Sequence, residues 1–470
     1  MLVPINISGG EYKHRSKPLS AQHTRNFWPQ IQKNEKEKSK YILQSFYGLK
    51  LFATKSGSAG RGLFTNQGVL YRVLDTTLYS VASDGTHTSL GTIPGTGRAI
   101  FDAIDAEFVT VANGGAFNYD GVLLTQITNP NMALPNSCAA LNGKMIYDEG
   151  SGQTFWVSDT GDATTLNGLN YAAAEAHSDA LKRIAVFKQT AYMMGEETIE
   201  SWWDSGQGNP PLDRIQGGLI DIGIDAIHSL GKTPDLMFFL GNDKQVHAIT
   251  GGAAAVETVV STPDMAYIFQ NEYTTTDDAI GWCMQLEDQW FYVITFPTEN
   301  ATWAYPLGGE WFRWGTGLTG RIRANAYAKI YNKHIVEDYA SGNLYQLDPI
   351  TYTDVDETIV RFRETSPIHG GLFKLDGKRL EMNAFELIME TGVGIVSGQG
   401  SDPEIMLQWS DDGGETFSSE RRGKIGALGQ HKKVTWTNLG SFYERILRIS
   451  ISDPVYCSIH SAAADIEACI

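Results

Sequence analysis

The sequence predicts an all-β protein: a β-propeller followed by a C-terminal β-sandwich, with an extended N-terminal arm. Three observations carry that expectation. Short runs in which apolar and polar residues alternate recur along the chain, the period-two signature of half-buried strands. Turn-forming dipeptides such as Asp84-Gly85, Asn113-Gly114 and Asn142-Gly143 separate these runs. The composition agrees, with 49 Gly, 20 Tyr, 20 Phe and 11 Trp among 470 residues, as many tight turns between strands require. No long amphipathic helix stands out. The best helical stretch, 171–187, reads as a loop with a turn or two of helix.

Residues 68–93 (GVLYRVLDTTLYSVASDGTHTSLGTI) set the pattern with three short strands. Val69, Tyr71 and Val73 alternate with Leu70, Arg72 and Leu74, a polar turn follows at 75–77, and 78–82 returns. Asp84-Gly85 is expected to reverse the chain again with positive φ at both positions. A single meander has one apolar face and needs neighbours of its own kind. The same grammar returns at 108–127, 138–157, 181–203, 236–260, 282–314 and 326–347. That makes about seven units of about 44 residues, the period of four-stranded propeller blades, with six also possible. A pair of irregular β-sandwiches is the competing architecture. In a ring, a strand from one terminus often completes the last blade, and YILQSFYGLKLFAT (41–54) is placed to do so.

The expected domains are an arm over 1–44, a propeller over 45–355 and a sandwich over 356–470. The arm is polar, interrupted by Pro4, Pro18 and Pro29, and holds the charged run 33–40 (KNEKEKSK). Its apolar exception is Phe27-Trp28, an anchor for another subunit or for the chain's own body. After Asp348-Pro349 the composition turns polar and acidic. New strands then follow at 379–389, 405–409, 433–437, 445–452 and 455–459.

A net charge of −17 argues against broad electrostatic adhesion to nucleic acid. Cys138, Cys283, Cys457 and Cys469 lie far apart without a C-x-x-C pair, which points to a reducing compartment rather than a disulfide framework. No apolar run of membrane-spanning length occurs, so neither a signal peptide nor membrane insertion is expected.

The motifs are weighed against plain alternatives. Ser410, Asp412, Gly414, Thr416 and Phe417 match S-x-D-x-G-x-T-W/F, the Asp-box turn of sialidases and related propellers. There the Asp side chain caps backbone N–H groups. One copy, outside the repeats, reads as a structural turn. Residues 315–320 (GTGLTG) are a literal G-x-G-x-x-G, but a strand and not a helix is expected after them, so a loop is the better reading. Glu196, Glu197, Glu200 and Asp204 around Trp202-Trp203 form a candidate carboxylate pair for sugar chemistry, against the plainer reading of a blade rim. Arg421, Arg422, Lys424, His431, Lys432 and Lys433 flank a glycine-rich turn and offer a basic hairpin tip to an acidic partner. Histidines and cysteines show no metal-ligand spacing, and no nucleophile elbow occurs. No catalytic residue, metal or cofactor is expected.

Three stretches carry a resemblance to a known family. They are GSAGRGLFTNQGVLYRVLDTTLYSVASDG (57–85), ETIESWWDSGQGNPPLDRIQGGLIDIGI (197–224) and WSDDGGETFSSERRGKIGALGQHKKVTWTNLGSFYERILRISISDPV (409–455). The last is the most specific: a DDG hairpin, a glycine-rich turn, a W-x-x-L-G strand and an Arg-rich strand ending near D-P. On these the chain resembles the packaged-DNA stabilisation proteins of short-tailed bacteriophages, also called tail accessory or tail hub proteins. The arm carries no such match.

The resemblance implies a non-enzymatic virion protein of the tail, assembled in the host cytoplasm. Copies would form a ring, six the expected number, on the portal–adaptor protein after packaging and help seal the DNA channel. They would also attach tail fibres or tailspikes and a needle or plug. Recognition of a specific nucleic acid sequence is not expected. Two other classes compete: a propeller glycosidase or depolymerase acting on host sugars, and a sugar-binding adhesion module.

Overall fold

The computed structural model describes residues 2–16, 19–31, 41–130, 132, 134–252 and 255–469. The charged run 33–40 and Pro18 lie outside the described residues. Two compact units are found: Leu51–Glu299 with Arg323–Gln346, and Met1–Lys50 with Asn300–Ile322 and Leu347–Ile470.

The first of these units is a propeller of six antiparallel sheets. Gly60–Asn66, Val69–Leu74, Thr77–Val81 and His87–Thr92 form the first sheet in consecutive order. Four more repeat that order: 99–126, 138–173, 181–220 and 231–259. The sixth consists of Ala324–Ile330, Lys333–Asp338 and Leu344–Asp348, with Gly48–Ala53 added at its outer edge. That late addition is the expected closure by a strand from the N-terminal side. The neighbouring strand Tyr41–Ser45 goes to a different sheet. Between the fifth and sixth sheets, the hairpin of Ile280–Leu286 and Gln289–Phe296 takes its own place in the ring, its first strand next to both neighbours' inner strands. The expected count of about seven units thus resolves into six sheets and this hairpin.

Each sheet buries its apolar faces against the next one. Val73 and Leu78 of the first pack with Phe108 and Phe117 of the second. Ala53, Leu70, Val81, Ile335 and Leu344 join the sixth to the first. A second closure is polar and fully buried. Arg72 of the first sheet pairs with Glu337 of the sixth at 2.8 Å and donates to the Gly342 carbonyl at 2.7 Å. The other Glu337 oxygen accepts from Gly62 N at 2.9 Å. Gly60 admits this approach because a Cβ there would lie 1.7 Å from Glu337 Cδ.

Turn chemistry follows the dipeptides, with one correction. Asn113-Gly114 and Asn142-Gly143 have positive φ at both residues, the hairpin geometry that matches strand twist. Asp84-Gly85 differs: only Gly85 is positive, at 88°. Its N–H bonds to the Ala82 carbonyl, and Asp84 Oδ1 accepts from Thr86 N. The hairpin is present, but with a longer loop in which the Asp side chain supports the turn.

Helix also falls elsewhere than expected. Residues 171–187 contain the strands Tyr171–Ala173 and Leu181–Phe187. Among the described residues the α-helix is Pro263–Asn271, begun by Thr262, with Pro263 opening it and Asp264 in its first turn. Among the described residues no helix is long and apolar enough to cross a membrane.

The other unit is a two-sheet sandwich built from both ends of the chain. One sheet runs Phe27–Ile31, Tyr41–Ser45, Ser458–Ala468, Leu380–Met389 and Val434–Thr437, with Leu2–Ile5 paired to Ser458–Ala468. The other contains Phe312–Arg313, Ala21–Arg25, Arg361–Glu364, Glu444–Ile451, Glu404–Ser410 and Arg421–Lys424 in that order. Alternate residues meet between them: Ile405 and Leu407 face Phe385 and Leu387, with Phe27 and Leu43 in the same core. Arginines fasten the N-terminal stretch. Buried Arg363 donates to the carbonyls of Ile7 at 2.9 Å and Gly10 at 2.6 Å and to Thr24 Oγ1 at 2.6 Å. These bonds satisfy otherwise orphaned carbonyls of an irregular segment.

Candidate interaction surfaces

The solvent face of the second sandwich sheet carries the motif residues. The hairpin between Glu404–Ser410 and Arg421–Lys424 holds the Asp-box sequence. Ser410 Oγ donates to Asp412 Oδ1 at 2.6 Å and accepts from Gly414 N at 2.8 Å. Asp412 accepts from the N–H groups of Glu415 and Thr416 and from Thr416 Oγ1. These bonds to its charged form, first from the Ser410 and Thr416 side chains, hold the Asp412 carboxyl far below the usual range. Ser410, Asp412 and Thr416 are thus spent on the turn itself. Asp411 points to the sheet and takes a two-pronged bond from buried Arg445, 2.7 Å on each oxygen. Phe417 covers a cation: the Arg448 guanidinium lies 3.5 Å from its ring centre, and Arg448 Nε donates to Glu364 at 2.7 Å.

Beside this stack runs a groove of 720 Å³, with Phe362, Met406, Gln408 and Arg422 on its floor and the exposed Leu318 on its rim. Its floor is built from side chains on antiparallel neighbours of a single sheet. It is a mixed surface, with apolar, cationic and anionic groups within one patch.

The basic hairpin tip is largely balanced by carboxylates. Arg422 pairs with Glu404 at 3.2 Å, Lys424 with Asp402 at 2.6 Å and Lys433 with Glu386 at 2.8 Å. Arg421 donates to the carbonyls of Thr437 and Asn438 and lies over Trp409. Lys432 is exposed near Asp402. Five cations facing three carboxylates leave a small positive excess.

Phe27 and Trp28 lie inside, 0% and 3% exposed. Of the two roles open to them, docking on another subunit or on the chain's own body, the structure shows the second.

The G-x-G-x-x-G loop offers carbonyls and not N–H groups. Buried Arg25 donates to the carbonyls of Thr316, Gly317 and Gly320 at 2.8–3.3 Å. Burial, and then Arg313, push its pKa down to about 10. Gly315 N is taken by Asn26 Oδ1 at 2.9 Å. A phosphate cradle needs the opposite polarity, and the next regular element is the strand Ala324–Ile330.

The carboxylates of the propeller rim are committed separately. Glu200 is 2% exposed and accepts from Trp202 Nε1 and Ala176 N. Asp204 takes Lys144 at 2.8 Å and Asn142 at 3.0 Å. Glu196 and Glu197 are paired with Lys182 and His177. Each has its own cation or donor, and no shared proton links two of them. Among the described residues no group of three or more His, Cys, Asp or Glu is placed to hold a metal ion.

Comparison with known proteins places this architecture. A family model described as bacteriophage P22 Gp10, beta-propeller, matches residues 1–352, and another described as bacteriophage P22 Gp10, beta-sandwich, matches residues 368–467. The chain belongs to the bacteriophage P22 Gp10 family. The Gp10 family makes it a structural tail protein of a phage, and so a component of the virion. No curated protein sequence matches the chain.

Solved structures share the propeller shape at low identity. A streptogramin B lyase is 10% identical, with 64% of this chain and 98% of that one covered and a TM-score of 0.45. A catalytically inactive virginiamycin B lyase from Staphylococcus aureus with quinupristin is 12% identical over 64% and 98%, TM-score 0.44. The Pan2 WD40 domain of Neurospora crassa is 7% identical over 64% and 95%, TM-score 0.42.

Sequence reasoning missed the buried arginines as a class. Arg25, Arg363 and Arg445 sit in ordinary strand patterns, and only the fold shows that each ends on carbonyls or a carboxylate. Their sequence neighbours are mixed, Thr24 and Asn26 around Arg25, Phe362 and Glu364 around Arg363, Glu444 and Ile446 around Arg445, so no local signal marks them as buried.

Proposed function

We propose that this chain is a tail hub of a short-tailed phage. Copies assemble as a ring, six the expected number, on the portal–adaptor complex after packaging. The ring helps close the DNA channel and carries attachment sites for tail fibres or spikes and for a plug or needle. The observation that carries this reading is that both halves of the P22 Gp10 architecture match, propeller and sandwich, over 1–352 and 368–467. The geometry supports a scaffold role. Rim carboxylates and the Asp-box turn are bound up in the fold, which leaves the non-enzymatic reading ahead of a glycosidase. The mixed groove on the sandwich suits contact with another protein better than a uniformly charged surface would.

Sealing of the channel is proposed to be mechanical. The net charge of −17 and a hairpin tip whose cations are largely paired give little counterion release on DNA, so affinity for duplex is weak at physiological salt. Protein–protein contacts then hold the assembly. Electron microscopy of the purified protein, alone and mixed with the portal–adaptor complex of its phage, tests the reading. A ring of copies capping that complex is the expected result. Particles that ignore the complex, together with sugar release from host polysaccharide, would replace the hub with a depolymerase.

A further inference from the structure

The inner strands of the propeller line an open-mouthed axial cavity of 180 Å³. Its wall comes from the beginnings of Gly60–Asn66, Ala99–Ile104, Leu181–Phe187, Ile280–Leu286 and Ala324–Ile330, and from the residues just before Gly231–Lys232. Two aromatic stacks stiffen it: Phe64 on Phe101 at 5.4 Å and Trp282 on Tyr327 at 5.1 Å. Arg98 and Arg183 bring charge to it, His228 adds an imidazole, and no carboxylate lines the cavity among the described residues.

In a chain of net charge −17, this is a concentration of positive charge. Arg183 donates through Nη1 to the Ile227 carbonyl, while its Nε is buried with no hydrogen-bond partner. Burial, and then repulsion from Arg98, bring its pKa down to about 10. His228 is pushed well below its usual range by burial and then by both arginines. Lys232 adds a further cation close to Arg183. Two acids act on these cations: Glu337 on Arg98, already shared with Arg72, and Asp102 on Arg183, its two oxygens spent on Ala103 N and Ala140 N at 2.9 Å each. A buried guanidinium donor without an acceptor is costly, and like charges in a low-dielectric space repel strongly. One anion between these groups answers both costs.

We propose that the axial cavity binds one small tetrahedral oxyanion, of the inorganic phosphate or sulfate kind, through Arg98, Arg183 and His228. The space equals about six waters at roughly 30 Å³ each, enough for such an ion with part of its hydration shell. A guanidinium fork matches the oxygen spacing of phosphate. Bound there, the ion ties together inner strands of the second and fourth sheets and the approach to the fifth, so it acts as a central staple of the ring.

Calorimetric titration of the full-length protein with inorganic phosphate at pH 7, against sodium chloride of matched ionic strength, tests this. The expected result is one saturable site, competed by sulfate and weakened at least tenfold in Arg183→Met. The thermal midpoint is also expected to rise with phosphate concentration, as binding to the folded state alone requires. A response equal to that of chloride, or one unchanged in a folded Arg183→Met protein, overturns the proposal. Should Arg183→Met not fold, His228→Gln takes its place under the same criteria. Competition by duplex oligonucleotide as strong as by free phosphate also overturns it, since that would mark a nucleic-acid surface in place of an ion site.

Discussion

At the scale of single residues, this protein keeps charge where burial makes it expensive and gives nearly every such group a partner. Asp148 shows the pH consequence. It is buried in the third sheet and accepts from Asn136 N at 2.9 Å and Ser137 N at 2.6 Å. Burial nevertheless outweighs those bonds and raises its pKa to about 6. An acid whose folded pKa lies above its unfolded one stabilises the fold fully below the unfolded value, near 4. That contribution is lost as pH rises through 6. Asp148→Asn removes the titration. The stability of wild type relative to this variant should therefore fall by about 3 kcal/mol between pH 4 and pH 7, for a shift of about two units. Urea unfolding of both proteins across that range measures it, and a constant difference would show Asp148 ionised throughout. Asp412 is the opposite case, with a depressed pKa and bonds confined to its own turn. Asp412→Ala is expected to speed amide exchange at Glu415 and Thr416 and to leave the global unfolding midpoint almost unchanged.

At the scale of elements, strand existence was legible wherever apolar alternation met a strong turn signal. The core strands of all the repeats were found this way. Some innermost strands were not: Gly60–Asn66 opens GRG, Gly231–Lys232 is two residues long, and a ring interior relaxes the alternation. The final strand is a different failure. Ser458–Ala468 (SIHSAAADIEA) was expected to end at 459, because alanine has little strand preference. It forms through tertiary pairing with Leu380–Met389 on one side and Leu2–Ile5 on the other. Such long-range pairings leave no local trace. The same holds for the axial cations, whose sequence separation hides their proximity. Phe27–Ile31 tests the argument at this scale. Phe27 sits in the sandwich core beside Leu43, so Phe27→Ala should cost about 3–5 kcal/mol, as truncation of a buried Phe does. Limited proteolysis should show earlier cleavage of the N-terminal stretch in that variant. Unchanged stability and unchanged cleavage would mean that the stretch is docked by its arginine-bound carbonyls alone.

At the scale of the whole molecule, a closed ring must join its first and last sheets, which are far apart in sequence, with enough energy to resist opening. Apolar packing supplies part of that through Ala53, Leu70, Val81, Ile335 and Leu344. The Arg72–Glu337 pair supplies specificity, with Arg98 as a second cation acting on the buried Glu337 carboxylate. Such a pair contributes little net stability compared with an apolar replacement, yet breaking it from one side strands a buried charge. Glu337→Gln should therefore destabilise the propeller by about 3–5 kcal/mol. The double variant Arg72→Met with Glu337→Leu should recover part of that loss, because it removes both desolvation costs together while Arg98 still loses its carboxylate. Urea unfolding of the single and double variants provides the cycle. A coupling near zero would place the closure in the apolar contacts alone. A large coupling would show that the ring is latched by charge, and that an opened ring is disfavoured before any partner binds.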